Sequence, residues 1–285
     1  MPSATSMTPL TAQRGRSRLV AYDVGAHLAT WDVDGEPVIW CSERAVLDGS
    51  RPIRGGVPLC FPWFAAGPQG DLSPSHGPVR TTRWSTDPAQ GEEVWAWTLT
   101  DADVADAPGA EHVPGPFRLR YAVTLLEEDP HPGLRLSLAI TNPGTAVLAV
   151  EAALHTYLGI GDVERVTVTG LDGADYLDKV TGRRDRQEGL MRIEGETDSV
   201  LDSPGDPCVE VHDGRRRLVL TTQGSTQTVV WNPGEEKAAT IGDLGAQEWR
   251  RFLCVETAAT GDRRLEIAPG ATHTVECTIT VEVQA

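Results

Sequence analysis

Long apolar runs are missing from this 285-residue sequence. No stretch approaches the roughly 20 consecutive apolar residues a helix needs to cross a bilayer, so no transmembrane segment is expected. Cysteine is sparse: Cys41, Cys60, Cys208, Cys254 and Cys277 form an odd, widely spaced set without a CxxC pair. Such a set argues against a disulfide framework and against a structural zinc site. Cys60, Cys254 and Cys277 lie in apolar stretches, where reduced cysteine packs as a small core residue. Basic residues are also short, 25 Lys and Arg against 41 Asp and Glu, a net charge of −16. That balance excludes nucleic acid as a natural partner, because a phosphate backbone calls for a basic footprint. The same field would repel a small anionic ligand unless arginines gathered locally to hold it.

What is abundant is turn chemistry, with 29 Gly and 20 Pro. Between the turns the dominant period is two. Apolar residues fall on alternate positions through Phe117–Leu125, at Leu134, Leu136, Leu138 and Ile140, and at Val275, Cys277, Ile279, Val281 and Val283. Alternation of this kind puts one set on a buried sheet face and the other in solvent. Asn142-Pro143-Gly144, His212-Asp213-Gly214 and Pro269-Gly270 punctuate the runs as turns. No segment of helical period, no linker and no internal repeat interrupts this texture. The expected fold is all-β, a large antiparallel β-sandwich, with residues 17–285 as a single domain behind a flexible lead-in of residues 1–16. The segment from Thr100 to Pro116, rich in Asp, Ala and Pro, is expected to be an exposed excursion. Met1 to Arg18 is polar and lacks an apolar signal core, which predicts a cytoplasmic protein.

Four segments depart from this texture. Arg54-Gly55-Gly56-Val57-Pro58 runs into Leu59-Cys60-Phe61-Pro62-Trp63-Phe64; paired glycines allow close backbone approach, and the two prolines stiffen the chain beyond them. That suits a packed corner of the sandwich as well as a binding loop. Ser75-His76-Gly77-Pro78-Val79-Arg80 brings a histidine and an arginine out of irregular backbone, where binding residues concentrate, although solvated loop residues look the same. Glu151 to Leu158 embeds His155 among apolar residues. It fits a core histidine bonded to backbone, and it also fits a proton-transfer group near neutral pH. Phe252 to Ala258 places Glu256 at or near the end of an apolar run, where an unpartnered carboxylate needs a partner, a wet cleft or a raised pKa.

Taken in order, RGGVPLCFPWF, SHGPVR, EAALHTYLGIGDVERVTVTGL and then VVWNP, IGDLG and FLCVE resemble the hexose-6-phosphate mutarotase branch of the aldose 1-epimerase superfamily. The resemblance runs from about Leu19 to Val283. It implies a galactose mutarotase-like β-sandwich acting on a sugar phosphate without metal or cofactor; separately, a monomer is expected. It further implies that His155 is the general acid and Glu256 the general base. Arg54 and Arg80 would contact the substrate and its phosphate, Asp198 its hydroxyls, and His76 and Ser75 would line the site. The chain departs from the branch at Ser75 (commonly Gln), Pro78 (an aromatic), Gly234 (Trp), Ser199 (Arg) and Leu201 (Tyr). These departures are expected to bear on the grip on the sugar or phosphate. Alternatives that the residues leave open are an epimerase of free aldoses, a non-catalytic carbohydrate-binding sandwich and an interaction protein that kept the fold.

Overall fold

The structure is a computed structural model that describes residues 7–126, 131–203 and 207–283. The alternating runs pair as expected. Strands Arg118–Leu126, Gly133–Thr141 and Thr272–Val283 are antiparallel neighbours, with Val123 opposite Leu136 and Leu136 opposite Cys277. Leu134, Leu136, Leu138, Val275, Cys277 and Ile279 are fully buried, each apolar side chain contributing about 1.5–3 kcal/mol relative to exposure. The side chain of Val283, last of that set, lies outside the described residues. Among the described residues these strands belong to a sheet of 9 strands; a second sheet has 12, and a short pair joins Leu148–Val150 to Leu265–Ile267. Leu136 and Ile279 of the first sheet share one core cluster with Leu19, Trp31, Leu253 and Val255 of the second. The molecule is an all-β sandwich, with one short α-helix among the described residues, Gly234–Ala238. No helix among the described residues is long and apolar enough to cross a membrane.

Two expectations need correction. Leu10–Arg14, placed in the flexible lead-in, is a strand paired with Ser17–Tyr22, Leu10 facing Ala21. It is an edge strand, bonded on one side only, in which Leu10 and Ala12 are no more than half-buried and the polar residues are exposed, so its apolar signal is short and weak. Residues 1–6 lie outside the described residues. The segment from Thr100 to Pro116 is not a plain exposed excursion either. It holds two 3-10 turns, Asp101–Val104 and Ala110–His112, and Val104 is buried in the core.

Candidate active site

The strand Phe252–Ala259 is buried along its whole length, and Glu256 sits within it rather than at its end. One flank is the strand Gln227–Asn232, with Val229 opposite Glu256. The other flank is broken. Ala152–Leu154 and Tyr157–Gly159 pair with it separately, Leu154 opposite Thr257 and Tyr157 opposite Cys254. Counting inward from both pairs places His155 opposite Glu256. There the His155 amide leaves the ladder and donates to Pro58 O at 3.0 Å, while Val255 N donates to Thr156 O at 3.1 Å. His155 Nε2 lies 3.4 Å from Glu256 Oε1. Sheet register thus brings together two residues a hundred positions apart.

Alternation then assigns the rest of that face. Cys254 and Glu256 share it with Tyr157 and His155. Trp231, opposite Cys254, and Asp198, opposite Trp231, continue it across the sheet. Tyr157 stacks on His155 at 5.0 Å with an 11° interplanar angle, and Trp231 meets His155 edge-on at 5.9 Å. The imidazole is therefore held in one plane by rings on two sides.

Loops complete the walls. Gly56 has φ +69°, and a Cβ there would meet Leu28 O at 2.3 Å and His27 Nε2 at 2.4 Å. Only glycine allows this close approach, which seats Gly56 O against Tyr157 N (3.0 Å) and delivers Arg54 to the rim. The buried Glu151 carboxylate accepts from Phe64 N at 2.8 Å and Gly261 N at 2.5 Å, anchoring the proline-rich segment. His76 Nδ1 accepts from Ala65 N at 3.2 Å, so the proton of a neutral ring resides on Nε2. Arg80 Nη2 donates to Ser75 O at 2.7 Å. The resulting cleft of about 620 Å³ is lined by all seven residues singled out in the sequence: Arg54, Ser75, His76, Arg80, His155, Asp198 and Glu256.

Burial dominates the electrostatics. It lowers His155 to about 3, with help from Arg80 and Arg54. It lifts Glu256 well above the carboxylate range; Asp198 adds to the rise, while Lys179 and Arg80 oppose it. His76 is held well below its usual value by burial and then by Arg80, so it stays neutral. Three buried polar atoms in the cleft, His155 Nδ1, Glu256 Oε2 and Arg80 Nε, have no hydrogen-bond partner among the described residues. An unpaired buried polar atom costs about 1–3 kcal/mol, so their convergence marks a place for a polar ligand. Among the described residues no group of three or more His, Cys, Asp or Glu is placed to hold a metal ion.

Sequence reasoning missed Lys179, Trp231, Tyr157 and Asp243 as cleft residues. Lys179 Nζ lies 3.9 Å from Asp198 Oδ2 and 5.1 Å from the centre of the Phe64 ring. It follows the strand Asp175–Asp178 with no local signal to mark it. Lys237 also lines the cleft and pairs with Glu196 at 2.5 Å. Of the five departures from the branch pattern only Ser75 lines the cleft. Ser199 and Leu201 alternate with Asp198 and so point to the opposite face, where Leu201 is fully buried. The expectation that all five bear on substrate is thereby narrowed to one.

Residues 9–280 match the family model described as aldose 1-epimerase. The chain belongs to the aldose 1-epimerase family. It is 32% identical over 259 residues to "Putative glucose-6-phosphate 1-epimerase" of Cenchrus ciliaris, covering 87% of this chain and 77% of that protein. A protein of the same name from Escherichia coli (strain K12) is 32% identical over 239 residues, covering 82% of this chain and 77% of its own length. A crystal structure described as a "putative mutarotase" from Salmonella typhimurium superposes with a TM-score of 0.83 at 25% identity, covering 98% of this chain and 92% of that one. Like other aldose 1-epimerases, then, this chain is an isomerase built on a mutarotase-type sandwich.

Proposed function

We propose that this aldose 1-epimerase interconverts the α and β anomers of a hexose 6-phosphate, glucose 6-phosphate foremost. The observation that carries the reading is the His155–Glu256 pair, 3.4 Å apart in a cleft whose rim holds Arg54 and Arg80. Anomerisation needs a proton removed from the C1 hydroxyl and one delivered to the ring oxygen. The ring opens to an aldehyde, the C1–C2 bond rotates, and closure on the other face reverses both transfers. Glu256 acts as base toward the hydroxyl and His155 as acid toward the ring oxygen, one proton circulating between them. Burial leaves that proton on Glu256, with His155 neutral. A substrate phosphate at Arg54 and Arg80 cancels part of the positive field that holds His155 low, and so favours the imidazolium form when the acid is required. Two guanidinium groups also answer the charge problem, offering fixed planar donors to a phosphate in a protein of net charge −16. Asp198 accepts from sugar hydroxyls, and His76 offers its Nε2–H.

Exchange NMR on the anomers of glucose 6-phosphate and of free glucose tests this. Glu256→Gln and His155→Ala should each lower the exchange rate by roughly 10²–10⁴-fold while staying folded. Full activity in either folded variant rejects the pair, and equal turnover of free and phosphorylated sugar rejects the phosphate.

A further inference from the structure

The motif Ile241-Gly242-Asp243-Leu244-Gly245 has no part in the chemistry above, yet it sets a carboxylate in the cleft wall. Asp243 is 7% exposed, and its Oδ1 accepts from Arg54 Nε at 3.0 Å. Tyr157 Oη takes Nη1 of the same guanidinium at 3.3 Å. The fork is thus pinned at two of its edges, and Nη2 has no partner among the described residues. A carboxylate beside an anion site is costly, because it repels the phosphate that the arginine attracts. It is compatible with binding only if orienting the arginine returns more than the repulsion removes. A long arginine side chain loses up to about 2 kcal/mol of rotamer freedom on binding, and prior immobilisation removes that cost.

Asp243 is itself located through its main chain. Ser42 Oγ lies 2.9 Å from the Asp243 carbonyl and 2.6 Å from Glu248 Oε2. Glu248 accepts from Glu43 N at 2.9 Å and from Gly245 N at 2.6 Å. Asn232 Nδ2 reaches Trp249 O at 2.8 Å and Phe252 O at 2.9 Å, tying the far end of the same loop to the sheet. None of these bonds uses the Asp243 carboxylate, which leaves that group free to serve Arg54.

We propose that Asp243 is a positioning residue for substrate binding: it sets the Arg54 guanidinium in the orientation that receives the phosphate, without touching the substrate itself. The proposal rests on the reading of Arg54 as a phosphate anchor.

Steady-state kinetics of Arg54→Ala, Asp243→Ala, Asp243→Asn and the double alanine variant, on glucose 6-phosphate and on free glucose, test it. Folding is checked by circular dichroism and thermal melting. Asp243→Ala should raise KM for glucose 6-phosphate about tenfold, the change expected from one lost charge-assisted bond, with kcat and the free-sugar parameters nearly unchanged. Asp243→Asn keeps the Oδ1 acceptor and should restore most of the affinity. The double variant should be no worse than Arg54→Ala, since both act through one group. An unchanged KM in folded Asp243→Ala, or effects that multiply in the double variant, overturns the positioning role while leaving Arg54 as the anchor. A phosphate-independent Arg54→Ala overturns the anchor and this proposal together. Should Asp243→Ala not fold, Asp243→Glu pushes the carboxylate one methylene into the guanidinium; a KM raised for the phosphorylated sugar alone supports the proposal, and an unchanged one rejects it.

Discussion

His155 Nε2 and Glu256 Oε1 face each other across 3.4 Å at the one place where the strand beside Glu256 leaves its ladder. Both groups are buried, so they titrate as a unit, and the form competent for catalysis is the one carrying a single proton.

The first expectation concerns pH. With ordinary values the singly protonated pair would exist only between about pH 4.3 and 6.5. Here the second proton is refused until pH approaches about 3, and the last is kept well above the carboxylate range. Exchange rates should therefore stay level through neutral pH and fall only at the extremes. A narrow bell centred near pH 5.4, the middle of about 4.3–6.5, would count against the coupled pair.

Stability should respond to the same group even where activity stays level. Glu256 has a folded pKa above its unfolded one, so its favourable contribution is complete below about pH 4.3 and is lost as pH rises through the folded value. Across that window the loss is about 1.4 kcal/mol per pH unit. Denaturation midpoints of Glu256→Gln, compared with the parent, should improve as pH is raised from 4 to 8. A difference that does not vary with pH contradicts the buried, protonated carboxyl.

Lys179 opposes the rise at Glu256 and helps lower His76 and His155. Removing its charge in Lys179→Met should move both limbs of the pH profile upward. The variant should also weaken its hold on Asp198, raising KM for either sugar severalfold. If the profile keeps its position, Lys179 belongs to the rim and not to the electrostatics of the pair.

Gly56 tests the way the rim is built. Alanine there combines φ +69° with a Cβ 2.3 Å from a backbone oxygen. A destabilisation of about 3 kcal/mol or more is expected in urea titration, since backbone on both sides must move. Arg54 lies two residues upstream, so residual activity should show a raised KM for the phosphorylated sugar. A fully stable Gly56→Ala protein contradicts this packing.

Much of this was legible in the chain. Alternation at Leu134–Ile140 and Val275–Val281 gave the strands, because a two-sided sheet leaves a period that side chains cannot hide. His155, Glu256, Arg54 and Arg80 emerged from ordered motifs rather than from local chemistry, and the cleft gathers them. Glu256 was displaced toward a strand end because an interior carboxylate is costly, and nothing nearby in sequence announces the cleft that accommodates it. Lys179 and Asp243 stayed hidden for a related reason. Their partners, Asp198 and Arg54, lie on other strands and loops, and only the assembled sheet brings each pair together. Leu10–Arg14 was missed because an edge strand need not be apolar.

The interrupted ladder at His155 and Thr156 has one more consequence. The two groups that exchange protons are spaced by strand pairing, whereas the arginines reach the cleft on loops and Ser75, the single cleft-lining departure, sits on one as well. Such a partition lets lineages revise which sugar is admitted by rewriting the rim, while the proton chemistry is inherited intact from the sheet beneath.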